Sequence, residues 1–526
     1  MLQYTAMDPD GLNVAISGRY GLAHYSIVDR KWKLFGNEAQ EHDFVVVGGM
    51  MWWESFLVVA VYDIAQDRDE LRFYPRDSKL DNKFALVKRL PSQILLMSLD
   101  RDKLLTFAAD STLAIFQLKD NLKSDSLNPA SIDPCDCMQT IDVGALCVHP
   151  ACVISVYLTT LRTSFSSTSS QQHSVVINVS GRLMILHHEY LVQDNNHGNA
   201  PQYITPTVLA SCVEMVWLPR ANNPSCSSTS MNHNIYLSEA LWLYCGQEMR
   251  VWLPLREKSQ SSVHTFISNR IMLSFPVSIY PLTILFDKAI ILGAENDSLS
   301  YTTGIPTSPD PYGAPNALFP FCILQRTSQV YLHQILRQLI RRNLGYYAWE
   351  IARSCSKLPY FPHSLELLLH EVLEEEATSK EPIPDALLPS VIEFVREFPV
   401  YLRTVGQCAR KTELALWPHL FSVAGRPRAL FDECLQRGQL DIAATYLLVI
   451  QNLESPTVSR KFATQLVDKA LESRKLDLVK DLVRFLKAID PNDVEPMRTS
   501  IPKFNTQTPP ISPSEYDISM VLGTMQ

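Results

Sequence analysis

TSQVYLHQILRQLIRRNLGYYAWEIARSCSKLPYFPHSLELLLHEVLEEEAT, Thr327 to Thr378, is the stretch where alternating apolar residues give way to helical periodicity. Leu332, Ile335, Leu336, Leu339 and Ile340 recur at three- and four-residue spacing. Leu365, Leu368, Leu369, Val372 and Leu373 do so again after the break at Pro359 and Pro362. Both stripes need apolar partners, so this is a seam between two kinds of architecture.

Upstream, from about Leu12 to Gly293, short runs rich in Val, Ile, Leu and aromatic residues alternate with Gly, Asp, Asn, Ser and Pro, the pattern of an all-β region. A turn followed by alternating apolar residues recurs as GLAHYS (21–26), ELRFYP (70–75), TLAIFQL (112–118), GRLMILHH (181–188) and EMRVWLP (248–254). The first three lie about 40 to 50 residues apart, the size of a four-stranded propeller blade. The later intervals are stretched by polar segments such as TSFSSTSSQQHS and QDNNHGNAPQ, which carry too little apolar surface to order themselves. Roughly five units in series suit radial repetition better than a β-sandwich. Because five is few for a propeller, the expectation is a partial β-propeller of WD-repeat-like blades, incomplete at the N-terminus, with an unpaired edge.

Phe44 to Tyr62, FVVVGGMMWWESFLVVAVY, has the length of a membrane span. Gly48-Gly49 and Glu54-Ser55 instead divide it into β-branched runs, as expected of buried strands joined by turns. Residues 302–320 hold five prolines and two glycines and read as an interdomain connection, after which FCILQ supplies a last strand.

From Ser328 onward the pattern is helical. Asp385 to Phe398 carries Leu387, Val391, Phe394, Val395 and Phe398 and stops at Pro399, and Glu413 to Val423 stops at Gly425. Pro427 opens PRALFDECLQRG, with Gly438 at the position after its end. Asp441 is placed to cap DIAATYLLVIQNL, and two further helices run from Ser455-Pro456 to about Ser473 and from Lys475 to Ile489. Helices of about 10 to 18 residues joined by short turns imply an α-solenoid of helical hairpins, with a compact bundle as the alternative. The expected organisation is therefore 1–301 propeller blades, 302–326 linker and last strand, 327–490 α-solenoid and 491–526 disordered tail. Thr508-Pro509 and Ser512-Pro513 in that tail suit proline-directed kinases.

A formal net charge of -8 over 526 residues argues against non-specific nucleic-acid binding. Eleven scattered cysteines in a chain that opens without a basic and apolar leader suggest reduced thiols in the cytosol. The glycines of GLNVAISGRYG lack the spacings that surround phosphates. His187-His188-Glu189 lacks the His-Glu-x-x-His spacing of a metalloprotease helix. Cys135, Cys137, Cys147, His149 and Cys152 form the most metal-like cluster, but match no paired zinc-knuckle spacing and read as ordinary cysteines. Asn178-Val179-Ser180 is a glycosylation sequon that matters only in a secreted chain. Arg337, Arg341 and Arg342 on one helix, and Glu371 with Glu374–Glu376 on a later one, form either a solvated polar face or a charged docking surface for an acidic partner or membrane. No catalytic, cofactor-binding or metal residue is assigned.

RKWKLFGNEAQEHDF, RFYPRDSKLDNKFA, LSEALWLYCG with MRVWLPL, ISNRIMLSFPVSIYPLTILFDKAIILGAEND, and above all LPYFPHSLELLLHEVLEEEATSKEPIPDALLP with CARKTELALW and IRRNLG closely resemble the large, WD-repeat-containing subunit of the Ric–Rgp complex. The resemblance runs with interruptions from about residue 12 to Ile489, and its members are longer at both ends. It implies a subunit of a guanine nucleotide exchange factor for the Golgi Rab-six GTPase in endosome-to-Golgi retrograde transport. It also implies action with a smaller arrestin-like Rgp subunit, in the cytosol and on the peripheral Golgi membrane, by binding rather than bond-breaking chemistry. It carries no individual exchange residue. The alternative is a coat- or tether-like trafficking scaffold without exchange activity.

Overall fold

The computed structural model describes residues 2–119, 133–147, 149–159, 174–186, 206–218, 235–254, 270–295, 326–379 and 385–489. Its strands form six consecutive antiparallel sheets in which each strand pairs with its sequence neighbour. Blade 1 is β1 (Tyr4–Met7), β2 (Asn13–Ser17), β3 (Leu22–Ser26) and β4 (Lys31–Lys33). The short α1 (Glu38–His42) leads into blade 2, made of β5 (Phe44–Trp53), β6 (Phe56–Asp63), β7 (Arg68–Pro75) and β8 (Leu86–Arg89). Blade 3 comprises β9 (Ile94–Asp100), β10 (Lys103–Ala108), β11 (Thr112–Leu118) and β12 (Cys135–Asp142). Blade 4 follows with β13 (Val153–Thr159), β14 (Ser174–Val179), β15 (Arg182–Leu186) and β16 (Thr207–Ala210). Blade 5 has β17 (Met215–Trp217), then α2 (Ile235–Ser238), β18 (Leu241–Tyr244), β19 (Glu248–Pro254) and β20 (Arg270–Pro276). In blade 6 the described strands are β21 (Ile279–Leu285), β22 (Ile290–Glu295) and β23 (Arg326–Val330).

The first strands β1, β5, β9 and β13 lie against one another in turn, so the first strand of each blade is innermost and the last outermost. Alternation along the strands places apolar side chains between neighbouring blades. Phe35, Phe44, Trp52, Leu57 and Tyr74 fill the space between blades 1 and 2. Phe107, Ile141, Val156 and Ile177 do so between blades 3 and 4, and Leu183, Val216, Leu243 and Trp252 between blades 4 and 5. Each such burial contributes roughly 1.5–3 kcal/mol.

The blade count is six rather than five. All five sequence units coincide with third strands, namely β3, β7, β11, β15 and β19. In blade 6 the third position is RTSQV, which has no apolar alternation to recognise. Two further expectations change. Gly48-Gly49 does not separate strands: both lie within β5, where the register against β6 shifts between Val46 and Met50 in a bulge. Gly49 sits at φ +105, and a Cβ at Gly48 would come within 2.8 Å of the Ile94 carbonyl oxygen. The turn is at Glu54, with φ +47. Among the described residues no helix is long and apolar enough to cross a membrane. Helix also begins later than Ser328, because Arg326–Val330 is held in the sheet by β22. Residues 302–320, FCILQ and the tail lie outside the described residues.

The helices are α3 (Leu332–Arg341), α4 (Gly345–Cys355), α5 (Phe361–Thr378), α6 (Leu388–Arg396), α7 (Tyr401–Lys411), α8 (Trp417–Ala424), α9 (Pro427–Gln436), α10 (Leu440–Leu453), α11 (Pro456–Glu472) and α12 (Leu476–Ile489). Successive members such as α9, α10, α11 and α12 pack pairwise, the arrangement of a solenoid. The chain divides into two compact units, Met1–Leu368 and Leu369–Gln526. Within the first, α3 and α4 belong with the blades: Tyr331, just before α3, stacks on Phe275 at 5.2 Å, and Cys355 Sγ at the end of α4 lies 4.0 Å from Asp287 O.

Within the second unit, polar groups close helix ends and tie neighbours together. Tyr401 Oη and an Arg396 guanidinium nitrogen both donate to the Ala424 carbonyl at 2.9 Å, at the end of α8. Trp417 Nε1 donates to Ala409 O at 2.9 Å. Pro427 opens α9 and Gly438 takes φ +69 beyond its end, as expected. Asp441 does not cap α10. Gln439 holds the capping position, and Asp441 lies in the first turn with Lys475 Nζ at 2.6 Å.

Candidate functional site

The cysteines proposed as metal-like are dispersed. Cys135 begins β12 and is fully buried in the core between blades 2 and 3, where burial pushes its thiol up to about 12. Cys137 points to solvent. Cys147 is buried in the next core and lies 3.6 Å from Val143 O. His149 Nδ1 accepts from Ala151 N at 3.1 Å, fixing the turn that leads to Cys152. Two separate cores and a turn thus divide these residues. Among the described residues no three His, Cys, Asp or Glu are gathered to hold a metal. Burial also pushes the Cys434 thiol up to about 12, so neither it nor Cys135 offers a thiolate near neutral pH. His187-His188-Glu189 lies outside the described residues. Asn178 of the sequon is wholly buried, donates to Val213 O at 2.9 Å and accepts from Gly181 N at 3.0 Å, so it presents no amide to a glycosylating enzyme.

The arginine face of α3 is split by the fold. Arg341 is exposed and Arg337 half-buried, while Arg342 donates to Met272 O of β20. Gln338 Nε2 donates to Ser274 O on the same strand at 3.2 Å. Register explains both contacts. Val277 N bonds to Gln247 O, so residues 273 and 275 face β19 while Met272 and Ser274 turn their carbonyls outward. Helix α3 therefore seals the outer edge of blade 5.

The glutamate run of α5 is also divided. Glu374 is exposed and lies 3.6 Å from His370. Glu376 is almost fully buried and accepts from Leu387 N and Leu388 N, the latter at 2.9 Å, closing the start of α6. His419 Nε2 approaches its other oxygen at 3.6 Å. What looked like a charged surface is in part a capping device.

Two other surfaces have the chemistry of protein contacts. On the β3–β4 hairpin Ile27, Val28, Trp32 and Leu34 are all exposed, Val28 by 68%, with Trp32 packed on Tyr25 at 5.0 Å. On α4, Glu350 accepts from Tyr346 Oη at 2.6 Å and from Tyr236 Oη, and Tyr347 lies edge-on to both tyrosine rings at 5.7 Å. Burial and the Glu350 bond raise the Tyr236 phenol above its ordinary range. Arg353 covers Trp349 at 5.1 Å. Neither surface was singled out in the sequence: apolar residues around a short hairpin read as core, and Tyr236 meets α4 only in the fold.

Two family models match the chain: the RIC1 second beta propeller domain over residues 2–327 and the RIC1 C-terminal alpha solenoid region over residues 333–504. The chain belongs to the RIC1 family. Among its relatives are the guanine nucleotide exchange factor subunit RIC1 of Mus musculus, 44% identical over 98% of this chain, and that of Homo sapiens, 43% identical over the same share. A guanine nucleotide exchange factor subunit of Caenorhabditis elegans is 36% identical over 98% of the chain. The chain spans 36% of the length of the mouse and human RIC1 proteins and 38% of the worm protein. The RIC1 models meet between residues 327 and 333, where β23 passes into α3.

Proposed function

We propose that this chain is the propeller and solenoid portion of a guanine nucleotide exchange factor subunit. In this reading it acts with a smaller arrestin-like Rgp subunit on a Rab-six GTPase at the peripheral Golgi membrane, drawing on a cytosolic pool and serving endosome-to-Golgi retrograde transport. The observation that carries the reading is 44% identity, over 98% of this chain, to a mouse protein bearing the exchange-factor name. Such an activity needs surfaces and no reacting side chain. A complex that binds the nucleotide-free GTPase more tightly than the loaded form lowers nucleotide affinity by that same difference and speeds release. The exposed β3–β4 hairpin and the tyrosine cluster around Glu350 are compatible with that work.

The test is release of labelled GDP from the Rab by the chain co-purified with the smaller subunit. Acceleration over the spontaneous rate supports the reading. Release at the spontaneous rate, together with Rab or membrane binding indifferent to nucleotide state, would replace it with a scaffold lacking exchange activity.

A further inference from the structure

The exposed β3–β4 hairpin continues into a rim of unusual charge. Strands β4 and β8 are the outermost of blades 1 and 2, and the connection 76–85 that leads into β8 is held against β4, where Lys33 Nζ donates to Ser78 O at 3.2 Å. Residues 29–33 and 76–89 carry eight Lys or Arg against three Asp, in a chain whose formal net charge is -8. Lys88 is paired with Asp133 at 2.6 Å and Arg76 with Asp77 at 3.6 Å. Arg30, Lys31, Lys79, Lys83 and Arg89 are exposed and make no ion pair or side-chain hydrogen bond among the described residues. The other two aspartates are turned to local work: Asp29 accepts from Ser26 Oγ at 3.0 Å and Asp81 from Lys83 N at 3.0 Å. Between the cations in sequence stand Val28, Trp32, Leu34, Phe84 and Val87, all exposed.

We propose that this outer rim of blades 1 and 2 lies on an anionic lipid bilayer. The inference rests on the peripheral-membrane part of the reading above. Charge and composition together choose the occupant. The cores of protein interfaces are depleted in Lys, whereas here lysines and arginines alternate with the apolar side chains instead of ringing them. A nucleic acid would use the cations and leave Val28, Leu34 and Val87 in water. A bilayer surface accepts the whole mixture. Trp32 and Phe84 suit the headgroup level, the aliphatic tips reach the acyl boundary, and Lys and Arg meet lipid phosphates and carboxylates with their stems along the apolar surface. Each cation near an anionic surface strengthens binding about fivefold, so the five unpaired ones dominate the affinity. The apolar tips add a part that salt does not screen.

The test is flotation of the 526-residue chain, without Rab, on vesicles of phosphatidylcholine and on vesicles of equal parts phosphatidylcholine and phosphatidylserine. The expected result is binding to the mixed vesicles that weakens as salt is added, and at least about tenfold weaker binding to phosphatidylcholine alone. Lys79→Gln, Lys83→Gln and Arg89→Gln together should weaken it about a hundredfold. Lys469→Gln, Lys480→Gln and Arg484→Gln, which remove the same charge from α11 and α12, should leave it unchanged. Brominated acyl chains in the mixed vesicles should quench part of the tryptophan fluorescence, and Trp32→Phe, which keeps a ring against Tyr25, should abolish that quenched part. All seven substituted residues are exposed, so the variants keep the fold. No binding, equal affinity for the two vesicle types, equal loss in the two triple variants, or quenching that survives Trp32→Phe each overturns the proposal. Because Rab is absent, none of these results bears on GDP release, and a complex that fails to accelerate release in solution leaves this test intact.

Discussion

Tyr446 in α10 donates its buried hydroxyl to the carbonyl oxygen of Leu402 in α7 across 2.7 Å. One turn further along α7, Gly406 faces the same ring, where a Cβ would make an ordinary contact at 3.5 Å. Removing the hydroxyl alone should be mild, because the Leu402 carbonyl retains its place in the helix ladder. Tyr446→Phe is expected to cost about 1 kcal/mol and Tyr446→Ala about 3–5 kcal/mol, read from urea unfolding. Equal losses for the two variants would contradict this division between hydroxyl and ring.

In blade 2 a guanidinium is buried between two carboxylates. Arg72 pairs with Asp63 and, at 3.0 Å, with Glu70, and all three are more than nine-tenths buried. Its cationic carbon lies 5.0 Å from the centre of the Phe44 ring. Arg72→Met should destabilise by about 3–5 kcal/mol by stranding Asp63 and leaving Glu70 to Arg68 alone, 2.7 Å away. Adding Asp63→Asn should recover part of that loss, and the double-mutant cycle measures the coupling.

His24 carries the acid sensitivity of blade 1. Burial first, then the charges of Lys33 and Arg76, depress its imidazole from 6.5 to about 4. Between those values the unfolded chain takes up a proton that the folded chain refuses, so stability falls as pH is lowered through that window and is fully present above it. The two values correspond to a loss of about 2 kcal/mol between pH 7 and pH 5. His24→Leu should flatten that part of the stability–pH profile. A profile unaltered by the substitution would assign the slope to other groups.

Glu376 holds the first turn of α6 through two backbone N–H groups. Glu376→Ala should cost about 1–2 kcal/mol in thermal unfolding, and Glu376→Gln, which keeps an acceptor at the same place, less. Glu374→Ala, at an exposed neighbour, should stay within about 0.5 kcal/mol.

What could be read in advance depended on whether the pattern was local. Third strands such as Glu70–Pro75 and Glu248–Pro254 announce themselves because both faces are packed between blades, leaving short runs dense in apolar and aromatic residues that contrast with the polar turns around them. RTSQV has no such contrast, so the sixth blade was missed. Helix α7, YLRTVGQCARK, was missed because an interior glycine and five polar side chains dilute its stripe, although Leu402, Val405 and Ala409 are fully buried. The surfaces were harder still. Arg342 reads as a helix charge until its acceptor, 70 residues upstream, is in place, and Glu376 reads as part of an acidic run until α6 folds back to it. Nothing in the spacing of Tyr236, Tyr346 and Glu350 foretold that one carboxylate would receive two phenols.

The order of strands gives blades 1 to 5 a trim side and an embellished side. Connections from second to third strand in blades 1 to 5 are two to four residues long. They are shaped by left-handed residues such as Gly21, Asp67, Ser111, Ser180 and Gly246. The long segments 120–132, 160–173, 187–205, 219–234 and 255–269 all fall instead between first and second or third and fourth strands. In an antiparallel blade these leave from the opposite end. Five long segments thus leave from one end of blades 3 to 5, and in blade 6, where 296–325 joins second to third strand, a long segment leaves from the other.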